Sequence, residues 1–85
     1  MILRVTDHAI YRARKRFKVT GSRYAVQSEI FGVLFKAKPI KIIDKNRQIW
    51  KSGFWLLVLG FSRFEIVVIT VLINQKAVYL CNNTE

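Results

Sequence analysis

Among 85 residues the chain has one histidine, one cysteine and five carboxylates. Those few groups restrict the chemistry open to it. A two-metal nuclease centre needs several oxygen ligands at close spacing, and no two of Asp7, Glu29, Asp44, Glu65 and Glu85 stand close together in the sequence. A metal-free route calls for no cofactor, and for phosphodiesters it narrows the substrate to RNA, whose ribose 2′-hydroxyl can attack the adjacent phosphate. That reaction asks for a base near the hydroxyl, cations over the phosphate and a donor to the leaving oxygen. His8 is the only side chain of a type that ordinarily titrates near neutrality. Arg12 lies one helical turn on and can share a phosphate with the imidazole, while Lys15 and Arg16 extend the row. The plainer alternative makes His8 a first-turn surface residue, paired with Asp7 or with nothing.

Thr70 is the only polar residue in the run Ile66–Ile73. Strand periodicity puts it on one face with Phe64, Ile66, Val68 and Leu72. Its hydroxyl either orients or donates at a site, or is satisfied locally at the edge of a core. Tyr11 beside His8 can stack or donate, or be a partly buried helix tyrosine. Trp50, next to Lys51 in a basic hairpin, offers a base-stacking surface; Trp55, among Phe54, Leu56 and Leu57, reads as core. Lys51 is a further substrate-binding candidate, and Cys81 reads as inert.

The elements that must position these residues follow from caps, breakers and periodicity. Ile2–Val5 is a short strand or an extended lead-in. Thr6 is a good N-cap and Asp7 suits a first turn, which predicts a helix over about Asp7–Lys18, with Ala9, Ile10, Ala13 and Phe17 on its apolar side. Gly21 can end it, Ser22 can cap a second helix over Arg23–Lys38, and Pro39 stops that one. Then come β-rich segments at 40–43, 47–51, 54–59, 64–73 and 77–80, split by short turn-forming separators. Connections this short allow only hairpins. The expectation is a single α+β domain over residues 1–85, with two N-terminal helices packed on one face of a four- to five-stranded antiparallel meander sheet. The apolar run from Phe54 to Ile73 is long enough for a membrane span, but Arg63 and Glu65 in its middle would each cost several kcal/mol there, and two strands explain it better.

Fifteen Lys and Arg against five Asp and Glu give a net charge of +10 on a chain that is 52% hydrophobic. Two Trp, three Tyr and six Phe argue against disorder. Arg4 to Lys18 and Lys36 to Lys51 are dense basic stretches, the footprint of a nucleic-acid binder. The first helix carries too little large apolar surface to lie in a bilayer interface. The lone cysteine and the absence of a secretory signal pattern point to the cytoplasm.

The string Val5-Thr6-Asp7-His8-Ala9-Ile10-Tyr11-Arg12-Ala13-Arg14-Lys15-Arg16-Phe17, with Ile66-Val67-Val68-Ile69-Thr70-Val71 further on, resembles small bacterial and phage domains that open on T-x-H-A-x-x-R-x-x-x-R and close on V-V-x-T-V. Those domains are similar to the barnase/EndoU/colicin/RelE-like (BECR) group of RNases and toxins. The likeness spans roughly Leu3 to Leu72. It implies helices on an antiparallel sheet, with His8, Arg12, Arg16 and Thr70 as site residues. It further implies a metal-independent endoribonuclease of toxin type, neutralised by an acidic antitoxin protein. The alternative is a non-catalytic nucleic-acid-binding or protein-interaction module of a phage or mobile element.

Overall fold

Thr6 starts the first helix in the way its residue type demands. Its backbone is extended and its Oγ1 accepts from the Ala9 amide at 3.1 Å, satisfying a donor that the first turn leaves free. In the computed structural model, which describes residues 2–74, helix α1 runs Asp7–Phe17 and buries Ala9, Ile10 and Ala13. Lys18, in the left-handed region at φ 57°, ends it. Gly21 was expected as the stop but belongs to the connection, where Arg14 donates to its carbonyl at 2.9 Å. Ser22 caps helix α2, Arg23–Lys36, by accepting from Ala25 N at 3.2 Å; α2 buries Val26, Ile30 and Leu34. It ends two residues short of the expected Lys38. A residue before proline is pushed out of helical geometry, so Lys38 and Pro39 already open a strand.

Five strands form one sheet: β1 Ile2–Val5, β2 Lys38–Asp44, β3 Arg47–Ser52, β4 Trp55–Phe61 and β5 Glu65–Ile73. Their order is β1-β5-β4-β3-β2. From β2 to β5 the sheet is the expected antiparallel meander. The β3–β4 turn has Gly53 at φ 58°, the positive value that a primed hairpin turn needs at its first central residue. β1 departs from the expectation. It lies parallel to β5, with Ile2 opposite Glu65 and Val5 opposite Val68, so the sheet is mixed. The hairpin argument bound only strands joined by short turns, whereas both helices and three strands separate β1 from β5.

The segment 54–73 folds as β4, a turn and β5, and among the described residues no helix is long and apolar enough to cross a membrane. The expected strand at 77–80 and Cys81 lie outside the described residues. The buried side chains of α1 and α2 join Val5, Leu57, Leu59, Val68 and Val71 in one cluster. Trp55 lies against that cluster, its ring stacked on Phe17 with centroids 3.8 Å apart.

A β-bulge sits at the middle of β5. Val58 pairs with Thr70, but the next residue, Leu59, pairs with Val68, leaving Ile69 as the extra residue. Val68 and Val71 both face the cluster although they are three apart. Thr70 leaves the strand beside Val58, on the other side. The expectation that Thr70 shares a face with Val68 fails here, because period two does not survive an inserted residue. Ile69 leans over Gly60, where a Cβ would stand 3.0 Å from its Cδ1.

Candidate nucleic-acid interface

The outer face of α1 is built by turn periodicity. Residues 9, 10, 13 and 17 turn inward, which leaves His8, Tyr11, Arg12, Lys15 and Arg16 on the remaining arc. His8 is exposed, and Arg12 Nε donates to its Nε2 at 3.4 Å. A guanidinium has no acceptor, so Nε2 offers its lone pair, which fits a neutral ring protonated on Nδ1. Lys15 Nζ stands 5.7 Å from the centroid of the half-exposed Tyr11 ring, within cation–π range. Arg16 stands one turn beyond Arg12 and, like it, is half-buried along its stem.

What keeps this face positive is where the carboxylates are spent. Asp7 pairs with Arg23 of α2 rather than with His8. Glu65 takes Arg4 at 3.2 Å and Asp44 takes Arg47 at 2.7 Å. Among the described residues no carboxylate comes within ion-pair distance of Arg12, Lys15 or Arg16. Hydrogen bonding from Arg47, aided by the Asn46 amide, holds the Asp44 carboxyl below its ordinary range. The hydrogen bond to Glu65, and then its charge, raise Arg4 above its already high value. Arg4 and Arg47 line a shallow depression with Gly60, Val67 and Ile69. Each guanidinium there already has its carboxylate, so the depression lacks the free charge of α1.

The other candidates fall elsewhere. Thr70 and Lys51 lie on the sheet face away from the buried cluster, Lys51 in register with Leu56 and Thr70 with Val58. The Thr70 hydroxyl is buried and has no hydrogen-bond partner among the described residues. Trp50 is on the cluster side, half-buried, with Nε1 donating to Gln48 Oε1 at 3.0 Å. The structure thus brings together His8, Tyr11, Arg12, Lys15 and Arg16, and separates them from Thr70, Lys51 and Trp50.

Sequence reasoning missed the capture of Asp7 by Arg23, although the first residue of α2 was available for it once Gly21 and Ser22 turned the chain. It also missed an apolar groove beside Trp50, signalled by Phe35 standing off the buried stripe of α2. Comparison with protein-family models, with curated proteins and with solved structures finds no match to the chain.

Proposed function

We propose that the protein binds RNA along the outer face of α1 and cleaves it without metal, as a small endoribonuclease. One observation carries this reading: an exposed imidazole whose Nε2 is 3.4 Å from Arg12 Nε, on a helix face whose cations have no carboxylate partner among the described residues. In the proposed reaction Arg12 turns from His8 Nε2 onto the phosphate, the freed Nε2 takes the proton of a ribose 2′-hydroxyl, and the 2′-oxygen attacks the adjacent phosphorus. Arg12 and Arg16 balance the charge that builds on the phosphoryl oxygens. The bond to the 5′-oxygen breaks, that oxygen takes a proton from water or Lys15, and a 2′,3′-cyclic phosphate remains. Tyr11 supplies a ring on which a base can stack. A cytoplasmic setting and an acidic, antitoxin-like partner belong to the same proposal, supported by the lone cysteine and the net charge of +10.

A second reading, a nucleic-acid-binding module without catalysis, is favoured by Thr70. Its side chain, expected to assist the reaction, lies on the sheet face opposite the cluster that α1 joins. Incubation with end-labelled RNA in EDTA separates the two. Cyclic-phosphate ends that vanish in His8→Ala support the nuclease; tight binding with intact RNA supports the module.

A further inference from the structure

Helix α2 turns Val26, Ile30 and Leu34 inward, and the stripe beside them carries Ser28, Glu29, Gly32 and Lys36 at helical spacing. With Ser52 and Trp55 of the β3–β4 hairpin they line a cavity of about 360 Å³, a size that accepts a small ligand. Three features of it call for a cause. Glu29 is exposed and, unlike Asp7, Asp44 and Glu65, has no cation partner among the described residues, although the chain carries fifteen Lys and Arg. Gly32 stands inside the helix, where glycine is less stable than alanine, yet a Cβ there would meet nothing within 4 Å. Packing does not require this glycine; its bare backbone leaves room between Glu29 and Lys36. Trp55 is held by the stacked ring of Phe17, the last residue of α1, so the cavity lies next to the C-terminal end of the helix that carries His8, Arg12 and Arg16.

The lining selects among ligands. Glu29 disfavours a simple anion, while Lys36 and the net charge of +10 disfavour an amine. Glu29 and Lys36 are separated by about 10 Å along the helix, at 1.5 Å per residue. A ligand that satisfies both has hydrogen-bond donors at one end, a phosphate at the other and a flat ring to lie against Trp55. A nucleotide has all three. An ionised carboxylate only accepts, so it suits a base edge with two adjacent donors. Guanine has these in its N1 imino and N2 amino groups; adenine and cytosine set the amino group beside an acceptor nitrogen, and uracil flanks its imino group with carbonyls. We propose that this cavity holds one guanine nucleotide of the bound RNA, with N1–H and N2–H donated to Glu29 and a phosphate on Lys36. The proposal rests on the RNA reading of α1 and extends it, the strand running from the α1 row past Phe17.

The test measures the anisotropy of labelled 2′-O-methyl oligoribonucleotides, which cannot be cut through the 2′-oxygen, on the full chain. A uridine strand with one central guanosine should bind about tenfold tighter than the all-uridine strand. Inosine in that place, lacking the 2-amino group, should give up most of the gain. Glu29→Gln sets an amide donor against a guanine donor, and Gly32→Leu fills the cavity. Each should abolish the guanosine preference, keep the all-uridine affinity and leave thermal melting unchanged or raised. Equal binding of all strands, a stronger preference for another base, or a guanosine preference that survives either substitution overturns the proposal and leaves the RNA reading standing. Failure of every strand to bind overturns both. Guanosine 5′-monophosphate that binds as tightly as the guanosine strand marks a site for the free nucleotide and equally overturns the proposal.

Discussion

His8 and Arg12 meet because a helix brings residues four apart together, and they stay free of carboxylates because Asp7, the nearest one in sequence, is held by Arg23 across the α1–α2 turn. Arg23→Ala should therefore release Asp7 toward His8 and slow any cleavage, while His8→Ala should abolish cleavage with the melting temperature unchanged. At Thr70 the argument runs the other way. A buried hydroxyl without a partner is a destabilising group, so Thr70→Val should stabilise the fold by about 1 kcal/mol in denaturant melts. RNA binding should be unaltered; a Thr70→Val variant that melts lower would show that the hydroxyl is satisfied. The row on α1 was legible in the sequence because 3.6-residue periodicity holds over the whole helix. Thr70 was misplaced because one extra residue in β5 reverses the face of everything beyond it, and no residue in Ile66-Val67-Val68-Ile69-Thr70 signals the bulge.

Between elements, Thr6 does two things at once. Its Oγ1 accepts from Ala9 N and donates to the Ile69 carbonyl at 2.7 Å, tying the start of α1 to the bulge of β5. Thr6→Ala should cost about 1–2 kcal/mol and Thr6→Ser should recover most of it, read from denaturant midpoints. Lys18 ends α1 in a conformation that suits glycine, so Lys18→Gly should be neutral or stabilising although it removes a cation. The β2–β3 turn carries a pH-dependent contact whose sign is clear. Asp44 titrates lower folded than unfolded, so its contribution is complete above the ordinary Asp range near pH 4 and is lost as pH falls through the lowered value. Protection of the Asn46 amide, measured against its intrinsic exchange rate, should fall on that acid side, and Asp44→Ala should show the lowered protection already at neutral pH. Caps, helices and the β2–β5 meander were readable because each rests on local chemistry. The parallel pairing of β1 with β5 was not, since it joins segments more than sixty positions apart and no turn between them sets the direction.

At the scale of the whole molecule, the surplus of charge is unevenly neutralised. Three of the cations on β1, α2 and β3 are paired, whereas those on the outer face of α1 have no ion-pair partner among the described residues. If α1 is where a single strand of RNA lies, replacing Arg12, Lys15 and Arg16 together by alanine should reduce the slope of log K against log salt by about 2, at roughly 0.7 per phosphate contact. The sharpest test of the account uses a DNA oligonucleotide containing a single ribose, incubated with the protein in EDTA. The account predicts one cut, 3′ to that ribose, leaving a 2′,3′-cyclic phosphate, and no cut with His8→Ala; an uncut strand, cleavage elsewhere, or undiminished cutting by the variant would contradict it.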